Sequence, residues 1–287
     1  MYNWIKKGIL FNGEFSQLPI VEDDGKFYKI YYSTRDNQGR SIPKYIIVDK
    51  NFKETSEPCF VRIPLGKPGT FDSYGVMPSS IVTLEDGTKY MYYVGWSKRI
   101  DVPYWNSTGL AISKDDGITW DKFSEGPIFG SCSKEPNWVG TVDVRKILGD
   151  TWIMMYSSCK WERINGKLEP IYGINDAFSN DGINWRPNGE INSLKNNEGG
   201  IASFRKLNSK YYYSKRNKSD YRTNPKNSYK IYCYNDLWNG ETTLELEPSG
   251  DENMNAYPYV ISKDDRDIMF YNGKNFGDGI YYAIKMK

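Results

Sequence analysis

Five short segments place adjacent large apolar residues at the end of a strand-like run, and their spacing limits what this chain can fold into. The pairs are Tyr31-Tyr32, Tyr92-Tyr93, Met155-Tyr156, Tyr212-Tyr213 and Phe270-Tyr271. Each belongs to a unit with a small-residue or apolar strand before it and a polar turn after it. The units recur at roughly 50 to 65 residues, the period of a four-stranded blade with decorated loops. Repeated all-β units arranged around an axis form a propeller. Such units bury their faces only against neighbours, so the repeat predicts one closed all-β domain: a five-bladed β-propeller over residues 1–287. The blades are expected at about 17–52, 75–123, 135–187, 198–241 and 254–287. A strand around Ile9-Leu10-Phe11 is expected to close the ring against the last blade, because closure removes exposed edges. A propeller has a central funnel, and the function is sought there.

Composition narrows the chemistry. The chain has no His, which excludes a Ser-His-Asp hydrolase and makes a zinc enzyme a poor fit. Acid and base work falls to Asp, Glu or Tyr. Net charge is +2 with both signs interspersed, so no basic stripe for nucleic acid stands out. The four Cys are scattered singly, without metal spacing. The N-terminus lacks the long apolar core of a signal peptide, and no run reaches membrane-span length. A cytoplasmic protein is the expectation. Aromatics reach 16% of residues. That excess fits packing between blades and strand propensity, with a few rings left to stack on sugar in a polar funnel.

Two turns carry a recognisable pattern. Ser113-Lys114-Asp115-Asp116-Gly117-Ile118-Thr119-Trp120 fits the Asp box, and Ser179-Asn180-Asp181-Gly182-Ile183-Asn184-Trp185 is a shortened relative. The Asp caps a tight turn, Gly supplies a positive φ, and Trp packs back over the hairpin. These residues mark the fold, between outer strands and away from the funnel. The inner-strand starts matter more. Leu18-Pro19, Met77-Pro78 and Tyr257-Pro258 are matched X-Pro steps, and Pro is tolerated at the first residue of a strand. Polar residues near such starts face the channel or are ordinary loop carboxylates. Glu14, Asp72, Glu135, Asp143 and Glu198 are the candidates.

The stretch Phe71-Asp72-Ser73-Tyr74-Gly75-Val76-Met77-Pro78, followed by Tyr92-Tyr93-Val94-Gly95-Trp96, resembles a bacterial group of glycosidase-like five-bladed propellers associated with surface-polysaccharide clusters. The resemblance continues through Pro103-Tyr104-Trp105-Asn106, Trp161, Tyr172, Tyr257-Pro258 and Phe270-Tyr271-Asn272-Gly273, covering nearly the whole chain. The wider relatives are glycoside hydrolase families 32, 43, 68 and 130. The resemblance implies two carboxylates, one protonating the leaving oxygen and the other acting as base or nucleophile. Asp72, Glu135, Asp143 and Glu198 are the catalytic candidates, with Glu198 the first choice for proton donor. The chain departs from the pattern in blade one. An acid is expected beside the opening Pro, and Ser16-Gln17-Leu18-Pro19 stands there, with Glu14 nearby but out of pattern.

Arginines recur at strand ends and inner strands. Several facing one funnel suit an anionic ligand: a phosphate, a nucleotide diphosphate or a sugar acid. Arg35 with Asp36, Arg205, Arg216 and Arg222 are expected to hold the anionic part. Trp96, Tyr104 and Trp161 are expected as stacking walls, and Tyr257 and Asn272 as further binding residues. Asp72, Asp143, Glu198 and Arg205 are expected to converge on the funnel. Two functions follow. One is a sugar-active enzyme of surface-glycan metabolism: a hydrolase, a phosphorylase or a nucleotide-sugar-dependent transferase. The other is a glycan- or sugar-nucleotide-binding propeller that lost the blade-one acid. No organic cofactor is implied. Oxygen ligands would allow a channel Ca²⁺, but no binding loop is legible.

Overall fold

A computed structural model describes residues 4–192, 198–234 and 242–287. Among them every regular element is a strand. The chain begins with β1 (Ile5–Phe15). A first antiparallel meander follows: β2 (Gln17–Asp23), β3 (Phe27–Arg35), β4 (Ser41–Asp49) and β5 (Cys59–Phe60). The second holds β6 (Gly75–Thr83), β7 (Lys89–Ser97), β8 (Trp105–Ser113) and β9 (Asp121–Lys122). The third holds β10 (Trp138–Leu148), β11 (Thr151–Ile164), β12 (Lys167–Ser179) and β13 (Arg186–Asn192). The fourth holds β14 (Glu198–Leu207), β15 (Lys210–Asn217), β16 (Lys230–Tyr234) and β17 (Thr242–Leu246). Finally β18 (Ala256–Ser262), β19 (Arg266–Asn272) and β20 (Asp278–Met286) form a sheet that β1 completes.

Single parallel contacts tie neighbouring meanders together. Ser41 meets Gly75 between the first and second, and Tyr172 meets Gly200 between the third and fourth. The N-terminal strand closes the last sheet, with Ile9 opposite Tyr281 and Phe11 opposite Ile280. The outermost strand of the fourth meander lies at Thr242–Leu246, beyond the expected boundary at residue 241, which falls outside the described residues.

The paired residues of the second strands explain how the meanders pack. Neighbours in a strand point to opposite faces. Each pair therefore serves two different cores. Tyr31 packs in one cluster with Tyr93. Tyr92 joins Tyr156, Met155 joins Tyr213, and Tyr212 joins Tyr271. Phe270 joins Tyr32, which returns to the first meander. The sequence of seams closes on itself.

The first strand of each meander carries a bulge. Register shifts fall between Gln17 and Ile20, Pro78 and Ser80, Val139 and Val142, Ala202 and Arg205, and Ala256 and Tyr259. An extra residue bends the strand and re-aims side chains. The Leu18-Pro19 and Tyr257-Pro258 steps lie inside these bulges and Met77-Pro78 lies just before one, rather than at the first strand residue. Leu18 and Tyr257, each before a Pro, adopt φ of 64° and 55°. Positive φ is costly for a bulky residue, and it recurs here at two matching positions that face the same cavity.

Both Asp boxes form as expected. Asp115 accepts from the Thr119 backbone N–H at 2.9 Å, and Gly117 has φ 79°. Trp120 is buried, its indole donating to the Gly117 carbonyl at 3.2 Å. In the second box, Asp181 accepts from the backbone N–H groups of Ile183 and Asn184, each at 2.8 Å.

Candidate functional site

The bulged first strands and the ends of the second strands surround a cavity of about 410 Å³, within the usual range for small-molecule sites. Aromatic rings form much of its wall. Trp96, Tyr104 and Trp138 sit in sequence, Trp96 and Tyr104 with ring centres 6.4 Å apart and Tyr104 and Trp138 5.4 Å apart. Gly75 makes room for Trp96: a Cβ there would lie 1.9 Å from the indole nitrogen, which donates to Ser41 at 2.7 Å. Tyr172, Tyr229 and Tyr257 continue the wall. The Tyr104 and Tyr172 hydroxyls lie 3.1 Å apart. Burial pushes both phenols up, so both stay neutral near pH 7.

The charge on this wall is of one sign. Arg35, Arg216 and Arg222 line the cavity, and no Asp or Glu is among its described lining residues. Arg216 is 2% exposed. It donates to the Pro170 carbonyl at 2.5 Å, the Asn217 carbonyl at 2.9 Å and the Tyr229 hydroxyl at 3.2 Å. Its guanidinium lies 3.6 Å from the Tyr221 ring centre. None of these partners is an anion. Arg35 donates from Nη2 to the Gln17 amide oxygen at 3.1 Å and lies between Phe15 and Trp96, 5.2 and 5.7 Å from their ring centres. Its Nη1 is buried with no hydrogen-bond partner among the described residues. Burial lowers the Arg35 pKa, but guanidinium remains charged at neutral pH. Arg222 is ion-paired: Glu169 accepts from it at 2.6 and 2.7 Å, and the same carboxylate lies within the field of Arg216. Burial raises the Glu169 pKa, but bonds from Arg222 and Tyr221 outweigh that and hold it below the ordinary range. Two further polar atoms of cavity residues are unclaimed, the Trp138 indole N–H and the Asn106 side-chain oxygen.

The four carboxylates singled out from the sequence lie elsewhere, each held by protein groups. Asp72, 1% exposed, accepts from Lys122 at 2.6 Å, Tyr93 at 3.0 Å and Thr70 at 3.1 Å. Glu135, also 1% exposed, accepts from Asn175 at 2.8 Å and from Tyr156 and Ser158 at 2.9 Å. Asp143 is buried between Arg145 at 3.1 Å and Arg205 at 3.2 Å. Glu198 pairs with Lys215 at 2.7 Å. None of the four is among the described cavity residues, so the structure does not bring Asp72, Asp143, Glu198 and Arg205 to one funnel wall. Asp72 and Glu135 precede their first strands and are claimed by donors from other strands; Asp143 and Arg205 follow the bulges of theirs, which turn inner-strand polar residues into contacts between meanders. Arg205 shows this directly. It is buried, donates to the Val142 carbonyl at 2.9 Å and to the Ser79 carbonyl, and so braces three first strands. Glu14 is likewise engaged, by Tyr32, Lys44 and Thr34 at 2.5, 2.9 and 3.2 Å.

The other expected residues divide. Trp96, Tyr104, Tyr257, Arg35, Arg216 and Arg222 line the cavity. Trp161 stands behind that wall, 5.0 Å from the Tyr104 ring centre. Asp36 holds its own turn and pairs with Arg40 at 2.7 Å. Asn272 is fully buried; it accepts from the Leu18 N–H at 3.0 Å and donates to the Ser16 and Gly279 carbonyls. It thereby holds the Leu18 bulge. Gln17, Trp138 and Tyr229 also line the cavity and were not singled out as site residues. Gln17 had a legible signal, since it stands in the stretch where an acid was expected. Its amide accepts from Arg35 and donates to the Tyr257 hydroxyl at 2.9 Å. Among the described residues no three His, Cys, Asp or Glu side chains gather as a metal site, and no helix is long and apolar enough to cross a membrane.

No family model matches the chain. It is 29% identical over 297 residues to the uncharacterized protein Rv1502 of Mycobacterium tuberculosis, covering 96% of both chains. Among solved structures it is similar to a glycoside hydrolase with TM-score 0.72 and 17% identity, covering 98% of this chain and 91% of that one. It is also similar to the family 32 β-fructofuranosidase BmSUC1 of Bombyx mori, solved with sucrose, at TM-score 0.63 and 13% identity, covering 94% of this chain and 61% of that one. Helix-free meanders, seams that close on themselves and these structural likenesses agree: the chain has the glycosidase-type propeller fold shared by family 32 and family 43 enzymes.

Proposed function

We propose that the protein binds a carbohydrate carrying an anionic group in this cavity, on a glycosidase-like scaffold of five blades. The five meanders and their five seams support that blade count. One observation carries the functional reading: the wall holds Arg35, whose Nη1 is buried with no hydrogen-bond partner among the described residues, beside Arg216 and Arg222, and no Asp or Glu is among its described lining residues. A buried guanidinium nitrogen without a partner is costly until an anion meets it. Guanidinium matches carboxylate and phosphate geometry. The indole and phenol faces beside them suit the apolar face of a sugar ring. A glycosidase needs an acid and a second carboxylate on opposite sides of the scissile bond. Gln17 stands where the blade-one acid was expected and is held by Arg35 and Tyr257. Binding without glycoside cleavage is therefore the reading the geometry favours. A role in surface-glycan metabolism, in the cytoplasm, is the setting implied by the sequence resemblance.

The test is calorimetric titration with galacturonic acid, glucose 1-phosphate, UDP-glucose and galactose. Binding of one or more charged sugars and none of galactose is expected, with loss of that binding in Arg35→Gln. Equal binding of galactose, no binding by any of the four, or cleavage of an aryl glycoside by the native protein overturns the reading.

A further inference from the structure

Beside the cavity, between the first and second meanders, lies another cleft, about 390 Å³, which shares no lining residue with it. Its basic residues are Arg40, Lys98 and Arg99, and no Asp or Glu is among its described lining residues. Arg40 is neutralised by Asp36. Lys98 and Arg99 are exposed and make no ion pair among the described residues. Lys98 is not simply extended into solvent: its ammonium lies 4.4 Å from the Tyr74 ring centre. Tyr74 in turn packs on Trp96, with ring centres 5.5 Å apart. Trp96 belongs to the cavity wall and Tyr74 to the cleft. The two spaces are therefore joined by a pair of aromatic rings. Beyond them a third cleft of about 410 Å³ shares Ser97 and Arg99 with the second and is lined by Phe71, Trp105 and Trp185. It too holds no Asp or Glu among its described lining residues. Cations at intervals, with aromatic faces between them, are what a polymer of charged rings would meet.

We propose that Lys98 and Arg99 form a second anion site, and that the ligand is an oligosaccharide with repeated acidic groups. One acidic unit sits against the cavity arginines, the chain crosses Trp96 and Tyr74, and a later acidic unit reaches Lys98 and Arg99. This rests on the cavity reading and adds the ligand's length and charge repeat. Two linked contacts make the second one intramolecular, so affinity rises with chain length without any new residue in the cavity.

Oligogalacturonides of increasing length, from one to six units, are titrated into the native protein and into a Lys98→Ala, Arg99→Ala double variant. Both side chains are exposed, so the fold is kept. In the native protein affinity is expected to rise by on the order of 100-fold from the monomer to the hexamer. In the variant most of that rise is lost while the monomer's affinity stays within about twofold, since this pair lies outside the cavity. The methyl-esterified hexamer, which has the length without the charge, is expected to bind no better than the monomer. Glycerol phosphate polymers of matched charge distinguish a carboxylate repeat from a phosphate repeat: tighter binding of these moves the ligand class to polyphosphodiesters. A length-independent affinity, or a rise that survives in the variant, overturns the second site and leaves the cavity reading standing. Absence of monomer binding together with a charge-dependent hexamer signal that the variant abolishes overturns the cavity reading and keeps the second site.

Discussion

The cavity wall and the carboxylates at the first-strand starts are close in sequence, yet their charges are compensated in opposite ways. Asp72, Glu135 and Asp143 are buried and receive two or more donors each from the protein. Arg35 lines the cavity with its Nη1 buried and no hydrogen-bond partner for it among the described residues, and no Asp or Glu is among the described lining residues. The first set is complete within the fold and tells us about stability. The second leaves a buried donor unanswered at Arg35, and that is what the proposed binding rests on. A charged residue near a propeller axis is thus not evidence of function by itself. What decides is whether the protein already answers its charge.

Five experiments bear on that contrast. The largest effect is expected from Asp143→Ala, which strands Arg205 between three strands without its counter-charge. Breaking a buried pair in this way costs about 3–5 kcal/mol, read in denaturant unfolding, while the folded fraction keeps its affinity for acidic sugar. A variant of native stability that no longer binds would move Asp143 into the site. Next comes Arg35→Gln, which removes a charge-assisted contact worth about 1.5–3 kcal/mol. Affinity for galacturonate should fall roughly 10- to 100-fold with little change in melting temperature; an unchanged affinity erases the distinction.

The Asp boxes give a smaller effect, on stability alone. Asp181→Ala removes a turn cap and should cost about 0.5–2 kcal/mol, by analogy with helix caps. In the other box, hydrogen bonds from Thr119 and Ser113 hold the Asp115 carboxyl down to about 2. A depressed pKa stabilises the fold above the unfolded value and ceases to do so as pH falls through the folded one. The stability gap between native protein and Asp115→Asn should therefore be constant above about pH 5 and close as the pH approaches 2. A gap that persisted below that would mean the carboxylate charge is not what holds the turn. The smallest effect is expected from Glu198→Gln. The variant keeps an amide that can still accept from Lys215, so stability should fall by only about 0.5–1.5 kcal/mol. Affinity should stay within about twofold of native. Loss of a measurable glycoside turnover in this variant would restore Glu198 as an acid and sink the binding-only reading.

The sequence was most legible where one residue type serves one local rule. The Asp boxes are an example: Asp115, Gly117 and Trp120 fulfil cap, positive φ and packing within eight residues. The aromatic pairs are another, because strand alternation obliges Tyr31 and Tyr32 to face opposite sides. The cavity cations were partly legible, since Arg35, Arg216 and Arg222 lie at or beyond the ends of second strands. Asp72 and Glu135 were harder. Nothing in their neighbourhood of the sequence reveals that Lys122, or Tyr156 and Asn175, will meet them. Those partners lie on other strands, and only the pairing of strands delivers them.

The sequence by itself thus determined the repeat, the all-β class, the closing N-terminal strand and the lack of His chemistry, because each follows from local pattern or composition. Tertiary structure alone decided which polar residues line the cavity. A bulge of one residue reverses the side to which a strand residue points, and the bulges after Val139 and Ala202 do so just ahead of Asp143 and Arg205, where a catalytic acid and a structural brace look identical in the sequence.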